Sequence, residues 1–378
     1  MRKILFLPLF QMPSGHHQVA DALISSFLHR VENVECKKVD FLSYWNEPIE
    51  QMVSSFYMNW IRLFPSQYAQ FYKTFMYTDP EQQGKHGKKR RNIIFEQKML
   101  QLVRQEQPDL IVCTHSFPSK LLSSLKRRGL ISVPIANVYT DFLVSDVWGK
   151  KGIDFHFVPD TEAKRYLVEI HQVPASKIFI TGIPVDDAFR VRTFSKVKRI
   201  RPHILVAGGN SGLGKLRPFL EELKRESYFH YTVLCGRNRK LYEEIKSWNQ
   251  PNIDAHSYIT SRQEMNRLYD SADAIVTKAG GVTLSEAFRK QLPVFIHSAL
   301  PGQEQINVKH LRKKGLVIDL NKFMPLEDQL KEILDDEVEH NRMMKRIENY
   351  LMTLTDDVVT TLNERLLEWN VPHILTRP

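Results

Sequence analysis

The sequence predicts an α/β protein with two doubly wound parallel sheets, and three observations carry that prediction. Short β-branched apolar runs alternate with helically spaced segments, the pattern of parallel strands joined by helical crossovers. Several of these runs end in a glycine turn that opens a helix, as at Pro13–His17, Gly208–Lys215 and Asp273–Glu286. The length of 378 residues, 42% hydrophobic, fits two cores better than one.

In chain order, Lys3–Leu9 reads as a buried first strand. Its basic start imitates a secretory leader, but the apolar run ends at Gln11 and Pro13 without a small-residue cleavage pattern. A turn carrying His16 and His17 then opens a helix running through Leu28. Strands are expected at Asp109–Thr114, Val133–Tyr139, Asp154–Val158 and Lys177–Ile180, with helices at Pro118–Arg128 and Thr161–Ile170. After Phe189 the text is charged and unpatterned through Arg201, which marks a linker. A second series follows, with strands at His203–Ala207, Tyr231–Leu234, Ile253–Tyr258, Ala274–Val276 and Leu292–His297. Helices are expected at Lys240–Trp248, at Ser261–Ser271 and from Leu326 to about Trp369. The expected division is 1–195, 196–355 and a closing helical segment, 356–378, that crosses back to the first domain.

The formal charge of +10 and pI near 9.3 ask for an anionic partner. Lys85–Arg91 and Lys196–Arg201 supply much of the charge, yet no helix-turn-helix, RRM or zinc-finger pattern accompanies them, so nucleic acid is not the expected partner. Tyr44–Tyr77 holds eleven of the 39 aromatics, spaced as two helices separated by Pro65. Core packing explains such a stripe equally well. Its position directly before Lys88, Lys89, Arg90 and Arg91 favours an interfacial element in which Trp60 and Phe64 meet an anionic membrane. No apolar run approaches the ~20 residues needed to span a bilayer. Cys36, Cys113 and Cys235 lie far apart without metal-ligand or disulfide spacing, consistent with a cytoplasmic setting.

Asp273–Glu286 (DAIVTKAGGVTLSE) is a strand, a glycine pair and a helix N-terminus. Such a junction leaves backbone N–H groups unpaired and directs a helix dipole at one point, which suits a diphosphate. Two adjacent glycines alone would also suit a tight packing turn. His16 and Asp141 each follow a strand's C-terminal end, the ligand-binding edge of open α/β sheets. A histidine there can act as a base near neutral pH, and a carboxylate can orient it or take a hydroxyl proton itself. Gln303, Glu304 and Asn307 cluster after another strand end, where they could read sugar hydroxyls. The turn at Gly208–Gly212 fits general phosphate binding better than a nicotinamide cofactor, because the acidic residue expected about 20 positions later is displaced.

PSGHHQVADAL (13–23), VYTDF (138–142), TGIP (181–184), VAGGNSG (206–212) and TKAGGVTLSEAFRKQLPVFIHSALPGQEQIN (277–307) together resemble glycosyltransferase family 28. Within it the likeness is to bacterial processive diacylglycerol glucosyltransferases and plant monogalactosyldiacylglycerol synthases, over about residues 1–350. The resemblance implies a GT-B architecture, two Rossmann-like domains facing across a cleft. It also implies metal-independent, inverting transfer of glucose or galactose from a UDP-sugar to a diacylglycerol-type lipid, with no cofactor, peripheral on the inner face of the cell membrane. By this likeness Gly209, Ser211, Gly212, Gly280, Gly281 and Thr283 hold the diphosphate, Glu286 the ribose, and the backbone near Ile259 the uracil. Gln303 and Glu304, joined by Asn307, serve the donor hexose, and His16 or Asp141 is the base. No D-x-D carboxylate pair occurs in the chain. Ala279 and Ile306, and Pro13-Ser14 in the first turn, depart from the family pattern. A UDP-sugar 2-epimerase shares this donor cleft, and a catalytically idle UDP-sugar-binding protein would too.

Overall fold

The computed structural model describes residues 1–9, 14–45, 48, 92–189, 201–208, 222–223, 227–300 and 302–369. The first sheet is built from β1 (Arg2–Leu7), β2 (Val34–Lys38), β3 (Leu110–Cys113), β4 (Ile135–Val138), β5 (Phe155–Val158) and β6 (Ile178–Ile180). Their order is β2-β1-β3-β4-β5-β6, every pairing parallel. The second contains β7 (His203–Ala207), β8 (His230–Leu234), β9 (Ile253–His256), β10 (Ala274–Lys278), β11 (Val294–Ser298) and β12 (Ile318–Asp319). Its order, β12-β11-β10-β7-β8-β9, is also wholly parallel.

Parallel strands are covered on both faces, which is why β1 reads as continuous apolar text. Ile4 and Phe6 face the helix α1 (Gly15–Arg30) in a cluster with Val19, Leu23 and Phe27. Leu5 and Leu7 point the other way, toward Phe41, Met99 of α3 (Asn92–Glu106) and Leu122 of α4 (Ser116–Arg127). The short α2 (Phe41–Trp45) joins this second layer, where the Trp45 ring lies 4.8 Å from Phe95. Trp60, Phe64, Lys88, Lys89, Arg90 and Arg91 lie outside the described residues, as do Gly209, Ser211 and Gly212.

Each sheet reverses its winding once. The chain steps from β1 outward to β2 and returns on the far side of β1 as β3. In the second sheet it steps from β7 to β8 and β9, then returns beside β7 as β10. Ligands of doubly wound sheets bind outside the strand C-terminal ends at such reversals. The two reversals place His16 after β1, Thr114 after β3, and Gly280 after β10.

The central apolar cluster runs without a break from the first sheet to the second, joining Phe6 and Val138 to Leu205, Ile275 and Phe288. Phe142, just beyond β4, stands 6.0 Å from the Phe288 ring on α8 (Gly281–Arg289). It is 6.3 Å from Tyr350 on α11 (Glu337–Met352). The last described helix, α12 (Val358–Trp369), packs against α1 through Val359 and Leu362. Arg30 bonds Asp357 at 3.0 Å and also Asp187. Among the described residues no helix is long and apolar enough to cross a membrane.

Candidate active site

His16 occupies the first turn of α1, and its position is set by two neighbouring strand ends. Nδ1 lies 2.8 Å from the Thr114 carbonyl oxygen and 2.9 Å from Thr140 Oγ1. A carbonyl oxygen can only accept, so Nδ1 carries the proton and Nε2 holds the lone pair. The His115 ring meets His16 edge to face at 4.6 Å. His115 Nδ1 accepts from Phe117 N at 3.0 Å, capping α4 and fixing its own tautomer. Burial pushes the His16 pKa down to about 4 against the raising effect of the Thr114 bond, with His17 lowering it further. His16 is therefore neutral at physiological pH, with a base on Nε2.

Asp141 was expected to orient a histidine or act as base. His16 Nδ1 donates to the Thr114 carbonyl and Thr140 Oγ1, whereas the Asp141 carboxylate accepts from Asn307 Nδ2 at 3.2 Å. Burial raises its pKa to about 7; the Asn307 and Thr140 bonds pull it down and the Glu304 charge pushes it up. The two candidate bases share Thr140 as a neighbour but titrate apart.

Across the interface stands the β10–α8 junction. The turn residue Gly280 caps α8 with φ −78°; among the described residues no side chain caps this N-terminus, and a Cβ there would meet nothing within 4 Å. Gly281 differs: a Cβ would sit 2.4 Å from the Thr140 carbonyl oxygen and 2.8 Å from Ile183 Cδ1. Its hydrogen is required by the close approach of the first domain. Among the described residues nothing crowds Gly280, which leaves that side to a ligand.

One helical turn on, Glu286 is buried and accepts from Tyr269 OH at 2.9 Å. Burial lifts its carboxyl to about 7, against the Tyr269 bond and the Arg262 charge. Glu286, Thr283 and Ile259 line one cavity of about 400 Å³ together with Ala207, Tyr258, Arg262 and Tyr269. The opposite wall comes from the first domain through Ser14, His17, Gln18, Asp21 and Lys38.

The third cluster begins at Gly302, whose φ of 89° favours glycine and turns the chain into α9 (Gln303–Lys313). Glu304 accepts from Leu300 N at 2.8 Å and from Lys278 Nζ at 2.9 Å, so the strand-end lysine aims the carboxylate. Asn307, expected beside the donor hexose, is turned inward and only 1% exposed. Its Oδ1 accepts from Phe142 N at 3.1 Å, and Nδ2 donates to Asp141 and to the Ala279 carbonyl at 3.4 Å.

The structure therefore gathers Ile259, Thr283 and Glu286 in one cavity, and links His16 through Thr140 and Asp141 to Asn307 and the glycine turn. Thr114, His115, Thr140, Tyr269 and Lys278 were not read as site residues from the sequence. Their signal was present for four of them, since Thr114, His115, Thr140 and Lys278 sit at strand C-terminal ends.

The monogalactosyldiacylglycerol (MGDG) synthase family model matches residues 16–185, and the glycosyltransferase family 28 C-terminal domain matches residues 203–355. The chain is 34% identical over 380 residues to the uncharacterized glycosyltransferase YkoN of Bacillus subtilis (strain 168), covering 100% of both. It is 29% identical over 278 residues to a processive diacylglycerol beta-glucosyltransferase of Bacillus cereus (strain ATCC 10987 / NRS 248), covering 71% of each. MurG of Acinetobacter baumannii superposes with TM-score 0.61 at 12% identity, over 97% of this chain and 100% of that one. The calicheamicin glycosyltransferase CalG4 gives TM-score 0.61 at 14% identity, over 98% and 100%. At such identities the likeness establishes the fold, the GT-B arrangement of two Rossmann-like domains.

Proposed function

The chain belongs to glycosyltransferase family 28, and from that premise we propose that it transfers glucose or galactose from a UDP-sugar to a diacylglycerol-type lipid at a membrane surface. The observation that supports this reading best is the pairing of two reversals. A neutral, oriented His16 stands at one, and an uncapped α8 N-terminus beside the cavity of Glu286 and Thr283 stands at the other.

In this reaction the acceptor hydroxyl oxygen attacks the anomeric carbon of the hexose, and the bond from that carbon to the β-phosphate oxygen breaks. The hydroxyl proton passes to His16 Nε2 or to Asp141, and UDP leaves with the bonding electron pair, inverting the anomeric centre. The growing charge on UDP meets the α8 N-terminus, where backbone N–H groups and the helix dipole act without waiting for solvent to reorganise. On this reading the step needs no metal. Glu286 accepts from the ribose hydroxyls and the backbone at Ile259 reads the uracil. Gly209, Ser211, Gly212, Gly280 and Thr283 surround the diphosphate, while Gln303 and Glu304 face the hexose. Segment 1–195 would face acceptor and membrane, 196–355 would hold the donor, and 356–378 would close back on the first. Trp60, Phe64 and Lys88–Arg91 would meet an anionic bilayer on its cytoplasmic face.

Two measurements test the reading. UDP at 100 times its Kd should stabilise the fold by about 2.7 kcal/mol and raise Tm, whereas ADP and GDP should leave Tm nearly unchanged. The protein should sediment with anionic vesicles at low salt and release as salt rises. Equal shifts with all three nucleotides would remove the uridine reading, and indifference to anionic vesicles would remove the membrane acceptor.

A further inference from the structure

Asn307 does not have the exposure of a sugar ligand, and its partners suggest a different task. We infer that Asn307 is a positioning residue that holds Asp141 in place across the domain interface, so that this carboxylate is set only when the two domains are docked. The inference rests on the transfer reading above, in which Asp141 stands at the acceptor side.

Every heteroatom of the Asn307 amide is spent on protein. Oδ1 takes Phe142 N at 3.1 Å, while Nδ2 reaches Asp141 Oδ1 at 3.2 Å and Ala279 O at 3.4 Å. The first two partners belong to the loop after β4 in the first domain, and the third lies immediately before the glycine turn of the second. The same loop is gripped on both sides of Asp141. The Thr140 carbonyl abuts Gly281, and the Phe142 ring packs against Phe288 and Tyr350. Thr140 also bonds His16, so both candidate bases hang from one loop seated in the other domain.

The helix carrying Asn307 is itself anchored to the first domain one and two turns later. His310 Nε2 and Lys314 Nζ bond Asp160 Oδ2 at 2.7 and 2.6 Å. Asn307 is therefore a fixed post. Separating the domains would pull its amide away from Asp141 and leave the carboxylate with the Thr140 side chain of its own loop but without the donor from the second domain. The chemistry requires an amide here, because the site must donate to a carboxylate and a carbonyl while accepting from a backbone N–H.

The test uses the full chain with Asn307→Ala. Donor affinity is read by titrating UDP-glucose and UDP-galactose, and transfer is followed against pH. The Asp141 titration is followed by carbon-13 NMR with labelled aspartate and an Asp141→Asn spectrum for assignment. Donor Kd should stay within about 3-fold while kcat falls about 10²-fold, the scale of a misplaced reacting group. The Asp141 titration should move to higher pH, since the amide bond that favours its charged form is gone. Should Asn307→Ala not fold, the near-isosteric and uncharged Asn307→Leu, which cannot donate, supplies the same readouts with the same upward movement. A donor Kd weakened 10-fold or more with kcat retained would make Asn307 a donor ligand and overturn the inference. So would a loss of kcat with the Asp141 titration unmoved, which marks mere structural damage. If the wild type transfers nothing to diacylglycerol, the acceptor reading fails, and the Asp141 titration, which needs no acceptor, still decides the role of Asn307.

Discussion

His16 and Asp141 are pushed in opposite directions by the same cause. Burial disfavours the charged form of each, taking the histidine down to about 4 and the carboxyl up to about 7. A general base works only when deprotonated, so turnover falls as pH drops through the pKa of whichever group serves. An acid limb near 4 assigns the base to His16; a limb near 7 assigns it to Asp141. His16→Ala should cut kcat by about 10²–10⁴-fold if His16 is the base, and full turnover in that variant would exclude it. The sequence made both residues visible, because each follows an apolar run and sits at a strand's C-terminal end. It did not reveal that Thr140, rather than Asp141, contacts His16, nor that Asn307 is buried. Both facts depend on which loop the other domain encloses, and neither leaves a local pattern.

At the scale of elements, the β10–α8 junction shows how far text alone reaches. Strand, glycine pair and helix are plain in DAIVTKAGGVTLSE, and they occur where expected. The division of labour between the glycines is not, since Gly281 is demanded by a carbonyl more than a hundred residues away in the chain. Gly280→Ala should fold with a stability loss under about 1 kcal/mol and weaken donor binding, because its methyl enters the open space before the helix. Gly281→Ala forces a methyl against the Thr140 carbonyl and should cost about 1–3 kcal/mol or more, lowering Tm. Thermal melts and donor titrations on the two variants check this; equal loss of stability in both would contradict it. β2 and α3 escaped the sequence reading for ordinary reasons. VECKK is a short edge strand with three charged residues in five, and α3 follows a basic run that masks its start.

For the whole molecule, the question is what holds two domains at a fixed angle. α9 does much of this, bonded to Asp141 through Asn307 and to Asp160 through His310 and Lys314. Burial raises the Asp160 carboxyl, but the His310 bond and the Lys314 charge outweigh it and hold its pKa below the usual value. Its folded pKa is depressed, so the stabilisation is present above the unfolded carboxylate's pKa and is lost as pH falls through the folded one. Asp160→Asn keeps the helix cap at Ala163 and removes the charge. It should lower Tm at neutral pH, with a stability loss smaller than the roughly 3–5 kcal/mol of a fully buried broken pair because Lys314 keeps partial access to water. Its Tm should also lose sensitivity to acid. An unchanged Tm at pH 7 would mean the contact does not couple the domains. The two-domain architecture was the most legible property of all, since alternating strands and helices repeat along the chain. The interface was the least, because a packed surface between distant segments has no period.

The central claim is tested most directly by incubating the protein with UDP-[14C]glucose or UDP-[14C]galactose and mixed micelles of diacylglycerol and anionic lipid, in the presence of EDTA. Radiolabelled glycolipid is expected from at least one donor, with UDP released in equal amount. No labelled lipid from either donor, in protein whose Tm rises with UDP, would contradict it.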